Sequence, residues 1–409
     1  MTDSLKDKKN IKIAEKSLSK YKLCDHCLGR LFAKINSGIT NKERADQIRK
    51  YMKNHKKIDT DNCYICSGLF NEIQHFTDLI SESLEDYEFE TFLIGIKIDE
   101  DILDREQELL DFTGSEYAES IKTELKREIG KILEKKFNKE VDFEKPTIMA
   151  VIDTSFDTVN LQIKSLFIYG RYKKYKRDIP QTKWFCRICR GKGCRKCSYT
   201  GKMYKTSVEE LVAKKTLERT EGSGESFHGC GREDIDARML GNGRPFILEI
   251  EDPKIRNLDL AKLEREINLY GKDKIEVTDL RFSNRDEIAR IKEADFRKIY
   301  RVVLTTEKAI NKEKLKKAAL TLRGKILSQF TPSRVARRRA NITRDRKIYS
   351  CNIESVDGVM ATLVIEAESG TYIKELISGD DGRTRPSISE MIGVPCKVIE
   401  LDVIEIKGE

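Results

Sequence analysis

Apolar residues recur at helical spacing through residues 115–137, where Tyr117, Ile121, Leu125, Ile129, Ile132 and Leu133 share one face and predict an amphipathic helix. Before it, the run Phe92-Leu93-Ile94-Gly95-Ile96 predicts a strand, and residues 1–20 are polar and lysine-rich, a frayed or helical start. Three β-rich runs follow: Thr147 to Val151, Thr158 to Ile163 and Leu166 to Tyr172. This mixture predicts an α/β layer domain ending near residue 180. From about 206 the pattern is α+β. Helical stretches fall near 207–219, 258–269, 285–295 and 312–326, with strands at Phe246 to Ile250, Ile299 to Thr305, Ile348 to Ile353, Met360 to Ala367 and Val398 to Ile406. Between them, 181–205 is rich in Cys, Gly and basic residues. Three segments are therefore expected: 1–180, 181–205 and 206–409.

Composition changes this picture in two ways. The net charge of +9, from 78 basic and 69 acidic residues, is modest for 409 residues and matters only where it clusters. It clusters twice. Arg171 to Arg177 interleaves Tyr172 and Tyr175 with cations, which suits RNA contact, and residues 331–347 carry Arg334, Arg337, Arg338, Arg339, Arg344, Arg346 and Lys347 against Asp345. The second cluster predicts a long loop gripping a phosphate backbone, the plainer alternative being a solvated basic segment. No stretch reaches the ~20 apolar residues that span a bilayer. The lysine-rich start lacks an apolar signal core, so a cytoplasmic protein is expected. In a reducing compartment the 11 cysteines point to metal rather than disulfides.

Eight of them form two constellations. Cys24-Asp25-His26-Cys27 and Cys63-Tyr64-Ile65-Cys66 are two Cys-x-x-Cys knuckles, each able to supply two corners of a tetrahedron. His26 reads as a polar spacer. Cys186, Cys189, Cys194 and Cys197 fold into a tighter set around a Gly-x-Gly. Four thiolates leave no open position, so both sites are expected to hold structural zinc. Cys230, Cys351 and Cys396 read as small buried thiols.

The densest chemistry runs from Phe227 to Ile250, FHGCGREDIDARMLGNGRPFILEI. Gly231-Arg232-Glu233-Asp234 is poor helix material and reads as a turn beside a strand; on composition alone it is a surface ion-pair cluster. Its wording, however, resembles the Gly-Arg-x-Asp core shared by several pseudouridine synthase families. The longer string through Ile235-Asp236-Ala237-Arg238-Met239-Leu240-Gly241 to Gly243-Arg244-Pro245-Phe246 resembles the archaeal tRNA pseudouridine-54/55 synthase family, which has a eukaryotic branch. Lys298-x-Tyr300 is similar to that family's strand motif. Ser369-Gly370-Thr371-Tyr372-Ile373-Lys374-Glu375-Leu376 is similar to its third motif, and Thr331-Pro332-x-Arg334 to part of its thumb-like loop. The likeness extends upstream through Gln181 to Trp184 and Ser207 to Glu210.

The resemblance implies an α+β catalytic domain with a mixed, largely antiparallel sheet, preceded by an α/β THUMP-like zinc-binding RNA-binding domain. It implies isomerisation of T-loop uridines 54 and 55 in tRNA, with Asp234 as the catalytic carboxylate and Tyr300 as the ring that stacks on the base. Lys374 is implied as the charge partner of Asp234, and Tyr372, Arg232 and Arg334 line the substrate site. Asp236 is the rival nucleophile, because in an extended strand it would share a face with Asp234. Arg232, Arg238 and Lys374 are the cations that could keep Asp234 ionised. No catalytic metal, nucleotide or redox cofactor is expected, no phosphate-cradling glycine loop is present, and a monomer is expected. Two other readings remain at this point: a non-catalytic zinc-containing tRNA-binding or chaperone protein, and another THUMP-bearing tRNA modifier such as a methyltransferase or thiolation enzyme.

Overall fold

A computed structural model describes residues 4–52, 56–114, 116–336 and 340–408. The chain divides into two compact units, Met1–Lys164 and Ser165–Glu409.

The first unit is built on a four-stranded sheet of β1 (Thr91–Lys97), β2 (Glu140–Val141), β3 (Ile148–Asp153) and β4 (Thr158–Ile163), in the order β2-β1-β3-β4. β1 pairs in parallel with β2 and β3, and β4 returns antiparallel on β3. Alternation along β1 sends Phe92, Ile94 and Ile96 into one core. Against them packs the helix Ile121–Phe137, with Ile121, Leu125, Ile129 and Leu133 buried. The apolar pattern alone started this helix at 115. Its start is set by Ser120, whose hydroxyl accepts from the Thr123 backbone N–H. The polar start is helical over Lys8–Lys20.

The second unit carries a ten-stranded sheet. Its strands are β5 (Leu166–Lys174), β6 (Gly224–Gly229), β7 (Arg238–Glu251), β8 (Ile275–Ser283), β9 (Arg297–Thr306), β10 (Ile326–Phe330), β11 (Thr343–Asp357), β12 (Met360–Ala367), β13 (Thr384–Arg385) and β14 (Cys396–Lys407). They run in the order β13-β10-β11-β12-β9-β14-β7-β5-β8, with β6 added to β7. Every described pairing is antiparallel except β14 on β7, so the sheet is mixed and largely antiparallel as expected. The helices Val208–Thr220, Leu260–Tyr270 and Lys312–Leu322 bury Leu211, Leu263 and Leu315 in the same core as Val302, Leu304 and Leu363.

Two expectations are corrected. The boundary lies at Lys164/Ser165 rather than near 180, because Leu166–Lys174 hydrogen-bonds to β7 and β8 of the large sheet. The basic run 331–347 is a loop only in part, since β11 begins at Thr343 and pairs with β10. Arg337, Arg338 and Arg339 of that run lie outside the described residues.

Candidate active site

The turn from Cys230 to Ala237 joins β6 to β7. It is tied at both ends, by Cys230 N–H donating to Pro245 O (3.0 Å) and Ala237 N–H to Asp234 O (3.0 Å). Gly231 enters it at φ +71°, a left-handed conformation that disfavours a side chain. Because 230–237 is a turn and not a strand, alternation does not govern Asp234 and Asp236.

Beneath the turn lies a buried polar network. Glu233, the variable residue of Gly-Arg-x-Asp, points inward with its side chain 1% exposed. One of its carboxylate oxygens accepts from Tyr172 Oη at 2.8 Å and lies 2.9 Å from Arg244 Nε, while Lys174 Nζ stands 3.7 Å from the other. Burial favours the neutral acid, but the Arg244 and Lys174 charges outweigh it and hold the Glu233 carboxyl below its ordinary value. Lys174 Nζ also donates to the carbonyls of Ile179, Asp234 and Ile235 at 2.8, 3.3 and 3.1 Å. Gln181 Nε2 donates to Tyr172 Oη and Gly231 O. The turn is thus held from below by side chains that no solvent reaches.

Asp234 comes up from this network to the rim, with its side chain 31% exposed. Two cations from separate elements meet it. Arg334, in the single turn Ser333–Val335 after β10, donates through Nη1 to Asp234 Oδ1 at 3.0 Å. Lys374, on the helix Ile373–Ser378 after β12, places Nζ 3.4 Å from Asp234 Oδ2. Arg334 is itself oriented by Glu375, which accepts from Nε at 2.7 Å. Lys374 lies closer to Asp236, at 2.8 and 2.7 Å from its two oxygens. Partial burial would raise the Asp236 carboxyl, yet the Lys374 ammonium brings it below its ordinary value. Asp236 is the more open of the two, at 60%.

Tyr300, on β9, is buried among the inward-facing residues of that strand. Burial pushes its hydroxyl up to about 12; Arg244 opposes the shift and the Asp234 carboxylate adds to it. Two positions earlier, Lys298 is buried and donates to Ser369 Oγ and Phe296 O at 3.0 and 3.2 Å. Burial, reinforced by Arg244, brings its ammonium down to about 8. Tyr372 caps the helix that carries Lys374; its backbone N–H donates to Gln329 Oε1 and its carbonyl accepts from Gln329 Nε2.

Of the three cations expected near Asp234, the structure brings only Lys374 to it. Arg238 forms a two-pronged pair with Asp402 (3.0 and 2.6 Å), and the exposed Arg232 guanidinium lies over the Trp184 ring at 5.1 Å. Arg334 takes the place they were expected to fill. The stretch Arg171 to Arg177 is reassigned in part. Tyr172 and Lys174 are fully buried in the network, and Arg171 donates to the carbonyls of Asn242 and Gly243, so none of the three is a surface contact for RNA. Glu233, Arg244 and Glu375 went unassigned in the sequence although all three stand inside the motif strings, and Tyr172 and Lys174 were read only as part of a basic run suited to RNA contact.

Both cysteine sets converge. The sulfurs of Cys24, Cys27, Cys63 and Cys66 lie within 4.8 Å of one another, as do those of Cys186, Cys189, Cys194 and Cys197. Sulfur pairs at 3.7 Å in the first set and 3.7–3.9 Å in the second match the ~3.8 Å edge of a tetrahedron with ~2.3 Å zinc–sulfur bonds. Backbone N–H groups donate to sulfur in both, Cys24 to Cys63 and Gly201 to Cys197. The donors therefore fit zinc. His26 stays outside the set, bonded to Glu124 at 2.7 Å and stacked on Phe70.

Comparison with known proteins agrees with this layout. Residues 167–407 match the family described as Pus10, C-terminal, and 76–153 match the Pus10 THUMP domain, archaeal. The tRNA pseudouridine synthase Pus10 of Halorubrum lacusprofundi is 38% identical across 98% of this chain and 96% of its own length. That of Methanocaldococcus jannaschii is 43% identical across 95% and 93%, and that of Methanothermobacter marburgensis 42% across 94% and 95%. A chain of a solved Cbf5-Nop10-Gar1 complex overlaps 58% of this chain and 48% of its own, at 15% identity and TM-score 0.32, too distant to add to what the sheet shows. With one family covering the turn, the network and both flanking cations, and relatives matching nearly end to end, the chain belongs to the Pus10 family of tRNA pseudouridine synthases.

Proposed function

We propose that the chain isomerises uridines 54 and 55 of the tRNA T-loop, with Asp234 as the catalytic carboxylate. The observation that carries the role of Asp234 is the convergence of Arg334 and Lys374 on it from two different elements, while the choice of positions 54 and 55 is carried over from the family resemblance. Two cations from separate elements stand against this partly covered carboxylate, and positive charge beside a nucleophilic carboxylate is what the chemistry asks for. The reaction breaks the N1–C1′ bond, turns the freed uracil and forms a C5–C1′ bond; C5 loses its proton and N1 gains one. Asp234 acts either by attack at C1′ or by promoting elimination across the ribose. The target nucleotide leaves its stack to reach the turn, and the Tyr300 ring would stack on the freed base. With its hydroxyl pushed up, Tyr300 stays neutral at physiological pH.

Each cysteine set would hold one structural zinc, and no step passes through either. Residues 1–164, with the THUMP match, would bind the tRNA away from the reacting base.

The test is unmodified tRNA incubated with the full chain, followed by mapping of pseudouridine. Product at 54 and 55 is expected. Product at only one would correct the positional assignment, and none at either would favour a non-catalytic tRNA-binding protein.

A further inference from the structure

A groove of about 960 Å³ opens beside the catalytic turn, within the second unit. One wall is the helix Val208–Thr220; the others are Lys176–Ile179, Lys202–Thr206 and the Tyr270–Lys274 corner. We propose that this groove binds the phosphodiester backbone of the substrate tRNA at nucleotides outside the target site, as a second contact distinct from the site around Asp234. The proposal rests on tRNA being the substrate.

Three observations carry it. The first is charge. Seven cations line the groove against four carboxylates, and Lys176, Lys205 and Lys274 reach no carboxylate among the described residues. The segment from Ile179 to Val208 that forms one side contains eight Lys and Arg and no Asp or Glu. Lysines left unpaired along a concave surface are what a polyanion neutralises, with release of counterions. The second is the floor. Leu211, Leu217 and the half-exposed Tyr270 give an apolar and aromatic base on which a sugar or unstacked base can lie.

The third is continuity with the catalytic turn. Arg232 lies over the Trp184 ring, and Trp184 packs edge-on against Tyr204, which lines the groove. On the other side Asp178 N–H donates to Ile235 O, and Arg177 Nη1 to Asp236 O. The catalytic turn and the groove are therefore joined by direct contacts, along which a strand of RNA leaving the target nucleotide would run. Phosphate contacts of this kind fix register without reading sequence.

The test compares the full chain with Lys176→Ala/Lys205→Ala/Lys274→Ala. Its control is Lys312→Ala/Lys316→Ala/Lys317→Ala, a change of equal charge on an exposed helix of the same unit. Binding of an unmodified tRNA transcript is measured by anisotropy across salt concentrations, with single-turnover rates at saturating tRNA. The groove variant is expected to bind about 10-fold more weakly, with a salt slope shallower by about 2–3. Its saturated rate should be unchanged and the control near wild type. Equal weakening by both triples, or wild-type binding by the groove triple, overturns the proposal. So does loss in the groove triple of polyglutamate binding with tRNA binding intact, which would make the occupant an acidic protein. Absence of tRNA binding by the wild-type chain would instead fail the functional reading itself.

Discussion

Replacing Glu233 by Gln tests the claim that a buried ion network sets the catalytic turn. The change keeps size and shape and removes one charge. It leaves Arg244 and Lys174, 1% and 0% exposed, without the carboxylate that faces both. Removing one partner of a buried pair costs about 3–5 kcal/mol, because the remaining charge can neither ionise freely nor reach water. Lys174 keeps three carbonyl acceptors and Arg244 keeps Cys230 O, so the middle of that range, about 4 kcal/mol, is expected. For a unit of this size the unfolding midpoint should fall by ~8–16 °C. Thermal and urea unfolding of the full chain would measure it. Adding Arg244→Met should produce a loss smaller than the sum of the two single losses, since the second change removes the charge the first one stranded. A loss below about 1 kcal/mol for Glu233→Gln, or strict additivity, would refute the reasoning.

Lys298 makes a pH prediction. Its folded value of about 8 lies below its ordinary 10.5, so between those values the unfolded chain binds more protons. The destabilisation is full below about 8 and fades as pH rises to 10.5, so the stability of wild type minus Lys298→Met should climb by up to ~3 kcal/mol across that window; a flat difference would exclude a depressed Lys298. Arg334→Met should lower kcat/KM at least tenfold in single-turnover assays, because Asp234 would then share Lys374 with Asp236; an unchanged kcat/KM would remove Arg334 from the chemistry. Metal analysis should give about two zinc per chain, and Cys27→Ser should lose one and unfold the first unit preferentially, as all four sulfurs of that set lie in its core; full metal content in that variant would dissolve the assignment.

The three motifs were legible because each is local: Gly231 to Asp234, Lys298 to Tyr300 and Ser369 to Leu376 can be read along the chain. Of what they touch, only the approach of Lys374 to Asp234 was expected. The Arg334–Asp234 bond joins a turn after β10 to a turn before β7, and no periodicity connects them. Arg171 to Arg177 read as a surface because cations are seldom buried, whereas the sheet carries Tyr172 and Lys174 inward to meet Glu233. The domain boundary was misplaced because β5 follows β3 and β4 closely in sequence as a third β-rich run, and hydrogen bonding assigns it to the larger sheet. β8 and β10 were missed since both mix polar residues into short runs, and Ile326 of β10 is exposed. The two cysteine sets were legible from spacing, which already fixes the knuckle.

The central claim is that Asp234, rather than Asp236, does the chemistry. Asp234→Asn and Asp236→Asn should each be incubated with unmodified tRNA under single-turnover conditions and their pseudouridine yield compared with wild type. Asp234→Asn should make no detectable product while still binding tRNA, and Asp236→Asn should keep measurable activity. Product from Asp234→Asn, or its loss in Asp236→Asn alone, would contradict the account.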